Sequence, residues 1–222
     1  MIPHEQQIPA ATVLARLRRE YTRHGLDETE AGDDPWALFA RWIFEAMDAQ
    51  LVEPNAMMLA TAGADGRPGV RTVLLKNYDE RGLVFFTNYE SRKGRELEAN
   101  PQASALLFWK ELERQIRVDG PVQKIAGAES DLYFQSRPFE ARIGALASPQ
   151  SEPVPHRNAL EETFARLRAQ HEGRDVPRPA HWGGYRIEAQ SMEFWQGRPN
   201  RLHDRILFTR NGSSWTRQRL AP

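Results

Sequence analysis

Four stretches of this sequence gather side chains that could hold an anion or move a proton. In Ser91-Arg92-Lys93-Gly94-Arg95-Glu96-Leu97, a β-prone run gives way to a helical one, and Ser91 is placed to cap that helix. Arg92 and Lys93 then fall in the first turn, where the helix dipole favours anions. Without a bound anion they cost a few tenths to about 1 kcal/mol. A phosphate removes the conflict, because free amides at a helix start together with Arg and Lys form a compact anion site. A solvated basic surface turn accounts for the pattern equally well. In Arg71-Thr72-Val73-Leu74-Leu75-Lys76, two cations sit on an otherwise apolar strand, where a buried charge needs a partner. Strict alternation puts 71 and 76 on opposite faces, so one ligand cannot meet both unless the strand bends, Lys76 lies at its end, or the two serve different phosphates. Snorkelling at a strand edge is the alternative.

The third stretch, Tyr133-Phe134-Gln135-Ser136-Arg137-Pro138, ends a helix with a phenol near a guanidinium, suited to a phosphate or simply to capping. The fourth is Arg201-Leu202-His203-Asp204-Arg205. Of the six histidines, His203 alone has ionisable neighbours at such close range, and an ion-pair cluster explains them without any ligand. No second histidine stands at helical or strand spacing from it, so no metal is expected. Gln115 and Arg117 alternate with Ile116 and Val118, as on a half-buried strand.

The rest of the sequence narrows the chemistry. Thirty basic residues balance thirty acidic ones, which leaves no footprint for a nucleic-acid backbone and no net attraction to an anionic membrane. Any anion site is therefore local. With no cysteine, disulfides, thiolate metal sites and cysteine nucleophiles are excluded, and a cytoplasmic setting is expected. The sequence contains no Gly-x-Ser-x-Gly elbow, Walker-type loop or Gly-x-Gly-x-x-Gly fingerprint, and no apolar run long enough to span a bilayer.

The elements that must carry these residues follow from periodicity. Val13, Leu14, Leu17 and Tyr21 predict a helix over Pro9 to Tyr21. Asp34 and Pro35 start a second, whose stripe is Trp36, Phe39, Ile43 and Met47. An antiparallel meander is expected over Met57 to Thr61, Val70 to Lys76 and Leu83 to Asn88, then strands over Ala103 to Trp109 and Arg114 to Ile125. After helices at Ala128 to Ser136, near Ile143 to Leu146, and around Leu160, Phe164 and Leu167, three more runs follow: Gly184 to Trp195, Leu202 to Arg210 and Trp215 to Leu220. Strands this closely spaced predict an α+β fold, a small barrel with helices outside. At 222 residues and 40% apolar, the chain is expected to form one domain.

Taken in order, these segments resemble the pyridoxine (pyridoxamine) 5′-phosphate oxidase family. The likeness runs from Leu17-Arg18-Arg19-Glu20-Tyr21 through Arg71 to Lys76, Phe85-Phe86-Thr87-Asn88, Ser91-Arg92-Lys93, Glu113-Arg114-Gln115, Tyr133 to Pro138 and Trp182-Gly183-Gly184. It continues through Glu193-Phe194-Trp195-Gln196-Gly197 to Arg201-Leu202-His203-Asp204-Arg205 and the ending Arg219-Leu220-Ala221-Pro222. The resemblance implies an antiparallel split β-barrel with flanking helices, working as a homodimer with FMN where the subunits meet. It implies that Arg71, Arg92 and Lys93 hold the FMN phosphate. Thr72, Val73, Leu74, Leu75, Lys76, Phe86, Thr87, Gln115, Gln150, Ser151, Trp195 and Arg205 would complete the flavin site, some from the second subunit. The substrate phosphate falls to Lys76, Tyr133 and Arg137. Arg18 and Tyr21 match residues that close over the substrate from a segment spanning 1–30, and Arg201, Leu202 and His203 match those beside the pyridine ring, within C-terminal strands spanning 175–222. Arg201 and His203 are the implied catalytic pair.

The implied reaction is hydride transfer from substrate C4′ to flavin N5, with O2 reoxidising the flavin to give H2O2. Pyridoxine phosphate then yields the aldehyde directly; pyridoxamine phosphate yields an imine that hydrolyses with loss of ammonia. Two departures stand out. Ala141 occupies a position where relatives often carry serine, worth about 1 kcal/mol of substrate binding. Phe86 stands where tyrosine is common. Two other readings remain: a split-barrel oxidase of the phenazine pathways, and a non-catalytic module that binds flavin or pyridoxal phosphate.

Overall fold

The computed structural model describes residues 20–22 and 25–222. Its organising element is a long strand, β6 (Arg114–Lys124), preceded by β1 (Ala56–Ala62), β2 (Pro68–Leu74), β3 (Asn77–Asp79), β4 (Gly82–Asn88) and β5 (Gln102–Trp109). After it come β7 (Trp182–Glu188), β8 (Ser191–Gln196), β9 (Asp204–Asn211) and β10 (Ser214–Arg219). All pairings among the described residues are antiparallel. One path runs β10-β9-β8-β6-β5-β1-β2, and a branch runs from β6 through β7 to β4 and β3. Strand β6 makes the branch possible by changing partner: Arg114 to Asp119 pair with β8, and Val122 to Lys124 pair with β7. At the changeover a Cβ on Gly120 would overlap the carbonyl oxygen of Glu188, so only glycine lets the strands pass this closely.

The expected run Gly184 to Trp195 is therefore two strands, broken at Ala189-Gln190, where the Gln190 amide donates to the Asp119 carbonyl. Nor is the early region a simple meander. β1 sits between β2 and β5, and β4 pairs with β3 and β7, not with β2.

Opposite faces of the sheet do different work. The row Leu59, Ala105, Val118, Met192 and Phe208 is buried. Helix α2 (Pro35–Asp48) covers that core with Trp36, Leu38, Phe39, Trp42, Ile43 and Ala46; the side chain of Asp34 accepts from the Trp36 amide. Its buried face stops at Ala46, and Met47 is exposed. On the outer face Val70 and Phe108 remain exposed, at 71% and 44%. A second apolar cluster of Phe134, Ile143, Val176 and Trp182 is enclosed by α4 (Gly127–Ser136), α5 (Phe139–Ala147) and α6 (Arg157–His171). Helix α3 (Arg92–Ala99) closes the open side of β1 and β2.

The helix expected over Pro9 to Tyr21, with Arg18, lies outside the described residues except for Glu20 and Tyr21, which are not helical. The strap that follows ends in a short helix, α1 (Glu28–Ala31), capped by Asp27. It is tied to the far end of the chain: the Arg219 guanidinium donates to Glu28 at 2.7 and 2.9 Å and to Asp204 at 2.7 Å, while Asp204 also accepts the Leu26 amide at 3.0 Å. Among the described residues no helix is long and apolar enough to cross a membrane.

Candidate active site

A cavity of about 860 Å³ opens along β2, the terminal strand of the main path, between α3 and the helices α4 and α5. Arg71 stands at the open end of the buried row, opposite Leu59, where an unpaired charge would be costly. Its guanidinium donates to the Leu59 carbonyl at 3.3 Å, to the Thr61 hydroxyl, and to Glu96 Oε2 at 3.0 Å. Arg92 Nε donates to Glu96 Oε1 at 2.7 Å, and the Thr61 hydroxyl donates to Oε2 at 2.5 Å. Burial works against the charged form of Glu96, yet the bonds from Thr61, Arg92 and Arg71 hold its carboxyl below the usual range.

Lys93 differs from the two arginines. Its ammonium is buried and its hydrogen-bond partners are all neutral: Gln150 Oε1 at 2.8 Å, Thr87 Oγ1 at 3.0 Å and Ser91 Oγ at 3.3 Å. Burial, and then the nearby Arg71 charge, push its pKa down to about 8. Ser91 caps α3 as expected, its hydroxyl accepting the Gly94 amide.

At the other end of the cavity Tyr133 stacks on Phe86, with ring centroids 3.9 Å apart, and Phe86 on Trp182 at 5.4 Å. The Arg137 guanidinium lies 4.8 Å from the Trp182 ring centroid, and its Nη1 is buried with no hydrogen-bond partner. Burial disfavours its charge, a cost that an incoming anion would offset. Strand β2 ends at Leu74, Leu75 turns into the core, and Lys76 emerges beyond the strand, so Arg71 and Lys76 line the same cavity despite opposite parity. Thr72, Val73, Leu74, Thr87, Gln150, Ser151 and Ala141 line it too; Leu75 does not.

The remaining candidates form a separate strip. Gln115, Trp195 and Arg205 are directly opposed across β6, β8 and β9, in one row with the exposed Phe108. Arg205 Nε donates to the buried Glu193 at 2.7 Å, and that carboxylate also meets Arg117 at 2.9 Å. His203 packs against Trp195 and Tyr21, with centroids at 4.7 and 5.4 Å. Its Nδ1 accepts the Arg198 amide at 3.1 Å, so the neutral ring carries its proton on Nε2. Burial and then Arg201 lower its pKa, which keeps the ring neutral; Asp204 opposes them. Arg201 and Asn200 both take left-handed backbone, with φ of 62° and 56°, in a tight turn that leaves Arg201 and Leu202 exposed. None of Tyr21, Gln115, Trp195, Arg201, Leu202, His203 or Arg205 lines the cavity of its own chain.

Sequence reading missed Thr61 and Glu96, and included Trp182 in a motif without giving it a role. Glu96 had left a signal, since it stands four residues after Arg92 on the same helix face. Thr61 comes to Arg71, and Trp182 to the cavity, through the assembly of the strands, which leaves no local mark.

A curled antiparallel sheet with a cationic cleft along its terminal strand and helices over its open side is the split-barrel architecture of FMN-binding proteins. Its likeness to PhzG from Burkholderia lata 383, solved in complex with tetrahydrophenazine-1-carboxylic acid, has a TM-score of 0.83 at 37% identity, covering 87% of this chain and 95% of that one. A pyridoxamine 5′-phosphate oxidase-related, FMN binding protein from Nostoc punctiforme PCC 73102 shares the fold at TM-score 0.68 and 19% identity, covering 85% and 98%. The profile for pyridoxamine 5′-phosphate oxidase matches residues 43–171, and that for the pyridoxine 5′-phosphate oxidase C-terminal dimerisation region matches 182–222. The chain belongs to the pyridoxamine 5′-phosphate oxidase family. Relatives named pyridoxine/pyridoxamine 5′-phosphate oxidase, from Rubrobacter xylanophilus and Thermosynechococcus vestitus, are 57% and 56% identical over 94% and 95% of this chain and 96% and 100% of theirs. The dimerisation-region match supports a homodimer.

Proposed function

We propose that this protein oxidises pyridoxine 5′-phosphate or pyridoxamine 5′-phosphate to pyridoxal 5′-phosphate with FMN as cofactor. The observation that carries the reading is that one cavity is lined by two cationic groups: Arg71 and Arg92, joined through Glu96, with Lys93, and Arg137 with Tyr133, held against Trp182 and Phe86; Lys76 lines the same cavity. Two phosphates, one from cofactor and one from substrate, would match them. The donor chemistry fits FMN. A buried ammonium with neutral partners and a buried guanidinium nitrogen with none both favour an anion, and the volume is that of a cofactor pocket. Bound FMN would accept a hydride from substrate C4′ and pass the electrons to O2, giving H2O2.

The chain's own residues do the rest. Arg71, Arg92 and Lys93 bind the cofactor phosphate, with Gln150 and Ser151 beside them; Tyr133 and Arg137, held by the Phe86–Trp182 stack, bind the substrate phosphate. The exposed apolar face at Val70 and Phe108 would pack on a second copy, bringing Gln115, Trp195, Arg205, Arg201 and His203 of one subunit to the cavity of the other. Arg201 polarises the substrate. His203, neutral and carrying its proton on Nε2, donates a hydrogen bond to a substrate oxygen and orients the ring, which leaves it poorly set as a base. Tyr21, against His203, helps to close the segment 1–30 over the substrate. A cytoplasmic setting goes with this reading.

A flavin spectrum in the purified protein, followed by pyridoxal phosphate and peroxide formation when pyridoxine 5′-phosphate is added in air, is the expected result. A flavin-loaded sample that forms neither product would exclude the oxidase. The likeness to PhzG makes a tricyclic carboxylic acid the control substrate; turnover of that compound alone would reassign the second cationic group.

A further inference from the structure

Beside the cavity-lining Arg71 and Arg92 stands a carboxylate, which at first sight works against binding a phosphate. Glu96 is buried, yet its two oxygens receive three donors from three elements: Thr61 on β1, Arg71 on β2 and Arg92 on α3. Neutralising a buried arginine would explain Arg71, whose side chain is 21% exposed. It does not explain Arg92, which is 61% exposed and could be solvated freely, but is held through Nε at 2.7 Å. Space is reserved for this arrangement. A Cβ on Gly69 would lie 2.6 Å from Arg71 Nη2 and 3.1 Å from Glu96 Oε1, so any larger residue there would displace the pair.

We propose that Glu96 is the positioning residue of the phosphate clamp, fixing the guanidiniums of Arg71 and Arg92 so that their free N–H groups converge with Lys93 on one phosphate monoester. The inference rests on the proposed cofactor reading. Two long side chains that must otherwise be ordered by the ligand are ordered beforehand, so the binding energy is not spent on them. Charge points the same way. Three cations and one carboxylate leave a net charge of two, opposite and equal to that of a phosphate monoester dianion.

The test compares FMN with riboflavin, which lacks the phosphate, by the quenching of flavin fluorescence on titration into the full chain freed of flavin. Wild type should prefer FMN strongly. Glu96→Gln keeps size but supplies one acceptor and turns an N–H toward an arginine; it should reduce the preference for FMN by about tenfold or more, with riboflavin affinity unchanged. Gly69→Ala, which alters no charge, should reduce it in the same direction by a smaller factor. If Glu96→Gln leaves the preference unchanged or increases it, Glu96 is not positioning the clamp. A parallel loss of both ligands, with a lowered Tm, would assign it a purely structural role and overturn the proposal. Failure of the wild type to take FMN is a different result: it removes the cofactor reading, and the inference with it.

Discussion

At the anion end of the cavity every cation is held by groups of its own chain: Arg71 and Arg92 by Glu96, Lys93 by Thr87, Ser91 and Gln150. Along the C-terminal strip, Trp195 and Arg205 stand on the outer sheet face beside an exposed phenylalanine, and Arg201 projects from a left-handed turn. The two regions share a device, a buried glutamate between two arginines, Glu96 in one and Glu193 in the other. They differ in what completes them. The first lines the cavity; the second does not, and the proposed function brings it to the cavity of a second copy, a reading that the dimerisation-region match over 182–222 supports. Under the proposed function the cavity side holds both phosphates, and the C-terminal strip meets flavin and substrate from the other subunit.

The sharpest way to break the comparison is to disable each region separately. Arg201→Ala should keep FMN and lose turnover on the order of a hundredfold or more. Arg137→Ala should also be inactive at ordinary substrate concentration, and mixing the two variants under subunit exchange should restore part of the activity, because one of the two sites in a mixed dimer is intact. No restoration in an assay of mixed dimers would mean that both side chains serve a site of one chain. Glu193→Gln, which loosens Arg205, a proposed flavin contact from the other subunit, should weaken FMN binding about tenfold; unchanged FMN affinity would mean that Arg205 does not reach the flavin.

A smaller effect concerns pH. Lys93 has a pKa of about 8 in the free protein, and a phosphate binds its protonated form, so FMN affinity should be full near pH 7 and fall as pH rises through 8. The fall should reach at most about tenfold per pH unit and be absent in Lys93→Arg, as read by fluorescence titration. The smallest change is Ala141→Ser, which adds a hydroxyl to the wall near Arg137 and should lower the KM several-fold, about 1 kcal/mol, with kcat unchanged.

Much of this site was legible in the sequence. The misplaced charges at Arg92 and Lys93 pointed to an anion because helix dipoles act locally, and the parity conflict between Arg71 and Lys76 was real, resolved by the strand ending at Leu74. What the sequence hid was pairing. Half of the answer to the buried charge of Arg71 is Glu96, 25 positions away, and nothing local says that the two meet. The branch at Gly120 was equally silent, because its cause is a carbonyl of Glu188 that arrives from another strand. Local physics identifies a need; only the fold identifies what meets it.

The tie between Arg219 and Glu28 spans 191 positions of the chain. Closing so long a loop yields nothing until the strands between are in place, which sets this contact late in folding. During synthesis the sheet through β8 can assemble first, but the strap cannot be fastened before residue 219 has been made. Tyr21, near the start of the described chain, packs on Trp195 and His203, both made before residue 219, so the strap can touch the sheet before the tie at Arg219 secures it. The fastening of the strap depends on the order of assembly in time as well as on its arrangement in space.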